Sequence, residues 1–172
     1  MKILLIGYMG SGKSSVGKQL ATSLNLPFLD LDTEIEQKEG ISIAQIFDSK
    51  GEIYFRKIEI EVLKNLLAKP TDFVLATGGG TPCYSNTMQL MLKQPNCAVV
   101  YLKTSLHELT DRLYSQKANR PLISHLNSKE VLEDFIRKHL FERAYYYNQA
   151  EVVVDNTSSI ENTVQKIKKA LL

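Results

Sequence analysis

Ile3-Leu4-Leu5-Ile6-Gly7-Tyr8-Met9-Gly10-Ser11-Gly12-Lys13-Ser14-Ser15 runs from a short apolar stretch through a glycine-rich turn into helical periodicity that continues to Leu24. Gly7-x-x-x-x-Gly12-Lys13-Ser14 satisfies the G-x-x-x-x-G-K-[ST] pattern, and it does so in the strand-to-helix context that gives the pattern meaning. Glycines let successive backbone N–H groups turn inward as an anion nest, and the helix that follows adds its positive end. Lys13 then reaches outer phosphates, and the Ser14 hydroxyl is placed to ligate Mg²⁺. The order Gly7-x-x-Gly10-x-Gly12 is not G-x-G-x-x-G, which disfavours a dinucleotide.

Outward from this stretch, short apolar runs alternate with longer helical patterns, the order of a parallel sheet covered by helices. The strand candidates are Lys2 to Ile6, Pro27 to Leu31, Phe73 to Thr77, Cys97 to Leu102 and Glu151 to Asp155, mostly runs of Val, Ile and Leu suited to burial on both faces. Helical spacing predicts Lys13 to Leu24, two stretches between Thr33 and Leu67, then Asn86 to Lys93, Ser105 to Tyr114, Ser128 to Tyr146 and Ser159 to Leu171. The polar segment from Gln116 to Asn127 reads as a surface loop long enough to move. With 172 residues the chain fits one α/β domain, 1–172. A net charge of +2, with basic and acidic residues interspersed, gives no nucleic-acid surface and no membrane patch. The N-terminal apolar run is too short for a signal peptide or a span, and two cysteines, Cys83 and Cys97, without metal-ligand spacing read as reduced thiols, so a cytoplasmic location is expected.

Residues that say where a phosphate goes lie elsewhere. In Leu29-Asp30-Leu31-Asp32 two carboxylates end a strand at the sheet edge where ligands collect. Asp30 is suited to hold Mg²⁺ through water and Asp32 to take a proton or hydrogen bond from a hydroxyl, unless Asp32 merely caps the next helix. Gly78-Gly79-Gly80 follows the third strand at the same edge, where it either lets a ligand approach backbone N–H groups or forms a turn. Arg56 and Glu59 share a helix face, as a carboxylate-gripping guanidinium with its orienting partner or as a plain surface ion pair. Arg143 is a second clamp or a surface arginine. Arg120, beside Pro121 in the loop, suits charge neutralisation on closure, and Arg112 suits stacking on a purine or simple solvation. Phe47 and Phe55 read as core, and His107, His125 and His139 as surface residues.

Taken in order, the cradle, D-x-D, F-R-x-x-E, G-G-G, R-P-L and R-x-x-x-Y closely resemble the shikimate kinase family along essentially the whole chain. The cradle is generic to P-loop proteins, whereas the D-x-D, F-R-x-x-E, G-G-G set is specific to this branch. The resemblance implies a three-layer α/β/α fold like that of nucleoside monophosphate kinases, with a five-stranded parallel sheet in the order 2-3-1-4-5, an acceptor-binding region at about 32–60 and a mobile lid at about 116–127. It also implies ATP-dependent phosphorylation of the shikimate 3-hydroxyl in aromatic amino-acid biosynthesis, with Mg²⁺, by a protein expected to be a monomer. On that resemblance Gly10, Ser11, Gly12, Lys13, Ser14 and Ser15 bind ATP phosphates, Ser14 and Asp30 serve the metal, and Arg112 lies beside adenine. Asp32 binds the acceptor hydroxyl and acts with Lys13 and Arg120 in catalysis, while Arg56, Arg143, Gly78, Gly79 and Gly80 bind shikimate. No arginine stands in Asp155-Asn156-Thr157-Ser158, where some members carry one, and the N-K-x-D element of a guanine-reading switch does not occur.

Overall fold

Four adjacent apolar residues, Ile3, Leu4, Leu5 and Ile6, are each no more than 1% exposed, because their strand, β1 (Lys2–Ile6), lies in the middle of the sheet. In the computed structural model, which describes residues 1–117 and 122–171, β1 pairs in parallel with β3 (Val74–Ala76) on one side and β4 (Cys97–Lys103) on the other. β2 (Phe28–Asp30) pairs with β3 and β5 (Val152–Asp155) with β4, giving the order β2-β3-β1-β4-β5, all parallel.

Alternation along β1 sends its side chains to two separate layers. Ile3 and Leu5 pack with α1 (Lys13–Leu24) and α7 (Ile160–Leu171) through Val16, Leu20, Val164 and Ile167. Leu4 and Ile6 face the larger layer of α2 (Leu31–Glu39), α3 (Ile43–Ala68), α4 (Thr87–Leu92), α5 (Leu106–Gln116) and α6 (Lys129–Tyr147). Serine side chains cap three of these helices: Ser42 forms a capping box with Gln45, Ser105 accepts from the Glu108 N–H, and Ser128 accepts from the Val131 N–H.

Four details depart from the sequence reading. The second strand stops at Asp30, whose extended backbone and Oδ1, accepting from the Asp32 N–H at 3.1 Å, start α2 at once. Asp30 is therefore the helix cap, and Asp32 sits in the first helical turn rather than on the strand. The helix expected up to Leu67 is broken at Gly51, whose φ of 80° and ψ of 173° are non-helical. The segment read as a surface loop is anchored: Gln116 still belongs to α5, and Ile123 and Leu126 are buried in the larger layer. Phe47 is 37% exposed although its ring lies 4.6 Å from that of buried Phe55, because Ile46 takes the inward position in that turn.

Candidate active site

Helix α1 begins at Lys13 with Gly12 as its cap, at φ 85° and without a side-chain cap, so the leading N–H groups face the cleft at the sheet's carboxyl edge. That cleft, of about 560 Å³, is lined by Gly10, Gly12, Lys13, Ser14 and Ser15 from the cradle, by Asp30 and Asp32, by Gly78 and Gly79, and by Arg112. Lys13 Nζ donates to the Gly7 and Tyr8 carbonyls at 2.8 and 3.0 Å, which folds the lysine over its own loop. Ser14 Oγ donates to Asp30 Oδ2 at 2.9 Å, so a hydroxyl and a carboxylate stand together at the cleft. Ser11 is different: it is 1% exposed, its N–H donates to the Tyr8 carbonyl, and its hydroxyl has no partner among the described residues, so it builds the loop from inside. Arg112 donates to the Gly10 carbonyl at 3.2 Å and pairs with Glu108, beside Gln116, Asn156 and Ser158.

The other half of the site is organised by Glu59, which is only 1% exposed and lies on α3. One carboxylate oxygen accepts from Arg56 Nη1 at 2.7 Å and the other from Thr81 Oγ1 at 2.6 Å, tying the helix to the turn that follows the glycines. A buried charge needs such pairing. The Arg56 guanidinium also lies 3.8 Å from the Tyr84 ring centroid, and a Cβ on Gly80 would fall 2.7 Å from its Nη2. A Cβ on Gly78 would come within 3.2 Å of Glu59 Oε1 and 3.5 Å of Asp32 Oδ1, and one on Gly79 within 3.5 Å of Arg143 Nη1. The three glycines thus lie where two arginines and two carboxylates converge, and at Gly80 a side chain would crowd the Arg56 guanidinium. Burial pushes the Asp32 carboxyl up to about 6, with repulsion from Asp30 and Glu59 adding to it and Lys13 opposing.

Asp32, Arg56, Gly78, Gly79, Gly80 and Arg143 are therefore brought together, and Asp32, Gly78 and Gly79 also line the cradle's cleft. Arg120 lies outside the described residues. Sequence reasoning missed three contacts. Tyr147, 0% exposed, donates its hydroxyl to the Gly79 carbonyl at 2.6 Å; its place one turn beyond Arg143 on α6 was the available signal. Asn156 is buried, donates to the Ser11 carbonyl and accepts from Thr163, holding the cradle to α7, and nothing in the local sequence marks it. His139 is half-buried rather than on the surface, because its Nδ1 meets the hydroxyl of buried Tyr8 at 3.1 Å.

The family model for shikimate kinase (SKI) matches residues 9–172. The chain is 47% identical over 168 residues to a shikimate kinase of Flavobacterium johnsoniae, covering 96% of each chain. In structure it is similar to the shikimate kinase of Bacteroides thetaiotaomicron, with a TM-score of 0.91 and 34% identity over 99% of this chain and 98% of that one. It is similar too to the shikimate kinase of Acinetobacter baumannii in complex with shikimate, with a TM-score of 0.85 and 36% identity over 98% and 90% of the two chains.

Proposed function

The chain belongs to the shikimate kinase family, whose reaction is the ATP-dependent phosphorylation of shikimate, and we propose that the two halves of this cleft are its donor and acceptor sites. The reaction of this chain is that phosphorylation, a step of aromatic amino-acid biosynthesis. The 3-hydroxyl is the acceptor. Its oxygen attacks the γ-phosphorus in line, its proton passes to the Asp32 carboxylate, and the bond to the β–γ bridging oxygen breaks to release ADP.

What supports the reading most is the setting of Asp32. It lies on the nucleotide cleft with Lys13 and against Gly78, with its pKa raised to about 6, so it is ionised at neutral pH yet basic enough to accept a proton. Arg56, held by Glu59, grips the acceptor's carboxylate in a two-pronged hydrogen bond, and Arg143 supplies the second positive charge. Gly79 offers backbone between them, with Gly78 and Gly80 giving the clearance. On the donor side the Gly10 to Ser15 loop cradles the phosphates, Lys13 moves from its loop carbonyls onto them, and Arg112 bounds the base pocket. Arg120 supplies positive charge to the transferred group in this reading.

Ser14 and Asp30 fit Mg²⁺: they present two hard oxygens side by side, and the described residues contain no cluster of three His, Cys, Asp or Glu that would make a full protein cage. A divalent cation there spreads the negative charge of the outer phosphates. Among the described residues no helix is long and apolar enough to cross a membrane. We read the protein as a cytoplasmic monomer, which sedimentation at micromolar concentration tests directly.

The deciding experiment supplies ATP, Mg²⁺ and a panel of hydroxy acids to the purified protein. Turnover of shikimate to shikimate 3-phosphate is expected; turnover of gluconate without shikimate overturns the assignment.

A further inference from the structure

Tyr8 lies inside the phosphate cradle but does not face the cleft. It is 1% exposed, and its carbonyl accepts from Lys13 while its side chain runs the other way, toward α6. There its hydroxyl bonds His139 Nδ1 at 3.1 Å, and the Arg143 guanidinium stands 5.3 Å from the centre of its ring. His139 is held in turn by Phe135, whose ring centroid is 4.2 Å away. His139, Arg143 and Tyr147 are each four residues apart, which puts them on one stripe of α6. At its far end Tyr147 fixes the Gly79 carbonyl.

We propose that Tyr8 and His139 are positioning residues for Arg143: the ring of Tyr8 is the platform on which the guanidinium rests, and the bond to His139 fixes the angle of that platform. The inference rests on the reading of Arg143 as an acceptor-side cation. Three observations carry it. A cation within about 6 Å of a ring centre is attracted to its face, so the orientation of the ring bears on where the guanidinium rests. Burial pushes the Tyr8 hydroxyl up to about 12, and burial with the nearby Arg143 charge lowers the His139 imidazole, so the pair is neutral at neutral pH and does not compete for the acceptor's carboxylate. Tyr8 also joins the two halves of the site in one residue, its carbonyl on Lys13 and its ring under Arg143. An arginine already in place spends less of its binding interaction on ordering its own side chain when the acid arrives.

Steady-state kinetics on Tyr8→Phe, His139→Leu and His139→Asn, alone and combined with Arg143→Ala, test the proposal. Tyr8→Phe keeps the ring and therefore the packing, and thermal melting verifies that each variant folds. Tyr8→Phe and His139→Leu are each expected to raise KM for shikimate by about 3- to 10-fold, the span of one lost hydrogen bond, with kcat and KM for ATP within about twofold. His139→Asn keeps a hydrogen-bonding atom near the Nδ1 position and should restore most of the affinity. In the Arg143→Ala background neither Tyr8→Phe nor His139→Leu should raise KM for shikimate further. An undiminished effect in that background, a parallel rise in KM for ATP, or no rescue by His139→Asn overturns the positioning role. If Arg143→Ala itself leaves KM for shikimate unchanged, the acceptor-side reading of Arg143 falls, and this inference falls with it.

Discussion

Asp32 holds its charge at a cost to the fold. Its carboxyl is pushed from an ordinary 3.8 to about 6, first by burial and then by Asp30 and Glu59. Between those two values the folded chain binds a proton that the unfolded chain has released, so stability falls as pH rises through this window and the loss is complete above about pH 6. Asp32→Asn removes the charge and should raise stability at neutral pH by about 1–3 kcal/mol, a gain that vanishes near pH 4 where the native carboxyl is already neutral. Activity should move the opposite way, with kcat falling on the order of 100-fold or more, as expected when a positioned base is lost. Melting curves and turnover on one preparation check both signs. In the wild type, kcat/KM should fall about tenfold per pH unit below about pH 6, because the free enzyme needs Asp32 ionised. Glu59 has the contrary logic: it is buried and doubly paired, so Glu59→Ala leaves the buried Thr81 hydroxyl without its acceptor and Arg56 with only the longer contact to Glu52 at 3.7 Å, and should cost about 1–3 kcal/mol in denaturant unfolding.

At the scale of elements, Gly51 divides α3, and its φ of 80° with ψ of 173° lies in a region that only glycine occupies readily. A Cβ there would meet nothing within 4 Å, so Gly51→Ala should lose about 1–3 kcal/mol from backbone strain alone. Gly40, the C-cap of α2 at φ 70° and ψ 9°, is in the ordinary left-handed region, where asparagine is tolerated. Gly40→Asn should therefore cost little while Gly51→Asn costs as much as Gly51→Ala, a contrast read from two melting curves. The same elements show why some of the fold is legible and some is not. The buried strands and the cradle depend on local patterns, period and glycine spacing, that any reader of the chain meets directly. The break at Gly51 did not disturb the apolar spacing of α3, and a single glycine in a helical pattern is a weak signal. Asp30 took the capping role considered for Asp32 because the helix starts two residues earlier than its apolar periodicity suggested. Arg56, Glu59 and the glycine run were visible as a constellation, whereas the bonds from Tyr147, Asn156 and His139 join positions 68 or more residues apart and need the fold to bring them together.

For the whole molecule, the site is a seam between elements that the rest of the fold holds apart. The donor half belongs to β1 and α1, while the acceptor half draws on α2, α3, the glycine run after β3, and α6. A ligand that bridges such elements binds only the folded chain and stabilises it by mass action, about 2.7 kcal/mol at a hundred times its Kd. For a chain of 172 residues that corresponds to a rise in melting temperature of about 5–10 °C. Shikimate and Mg-ATP should each produce such a shift separately, since each half has its own set of contacts. Arg56 is 18% exposed, fixed by Glu59 and not among the residues lining the nucleotide cleft. Arg56→Ala should therefore abolish the shift with shikimate while leaving that with Mg-ATP intact. Thermal melts of the two proteins across a concentration series of each ligand measure this, and an equal loss of both shifts would remove Arg56 from the acceptor half and show the seam to be a single, indivisible site.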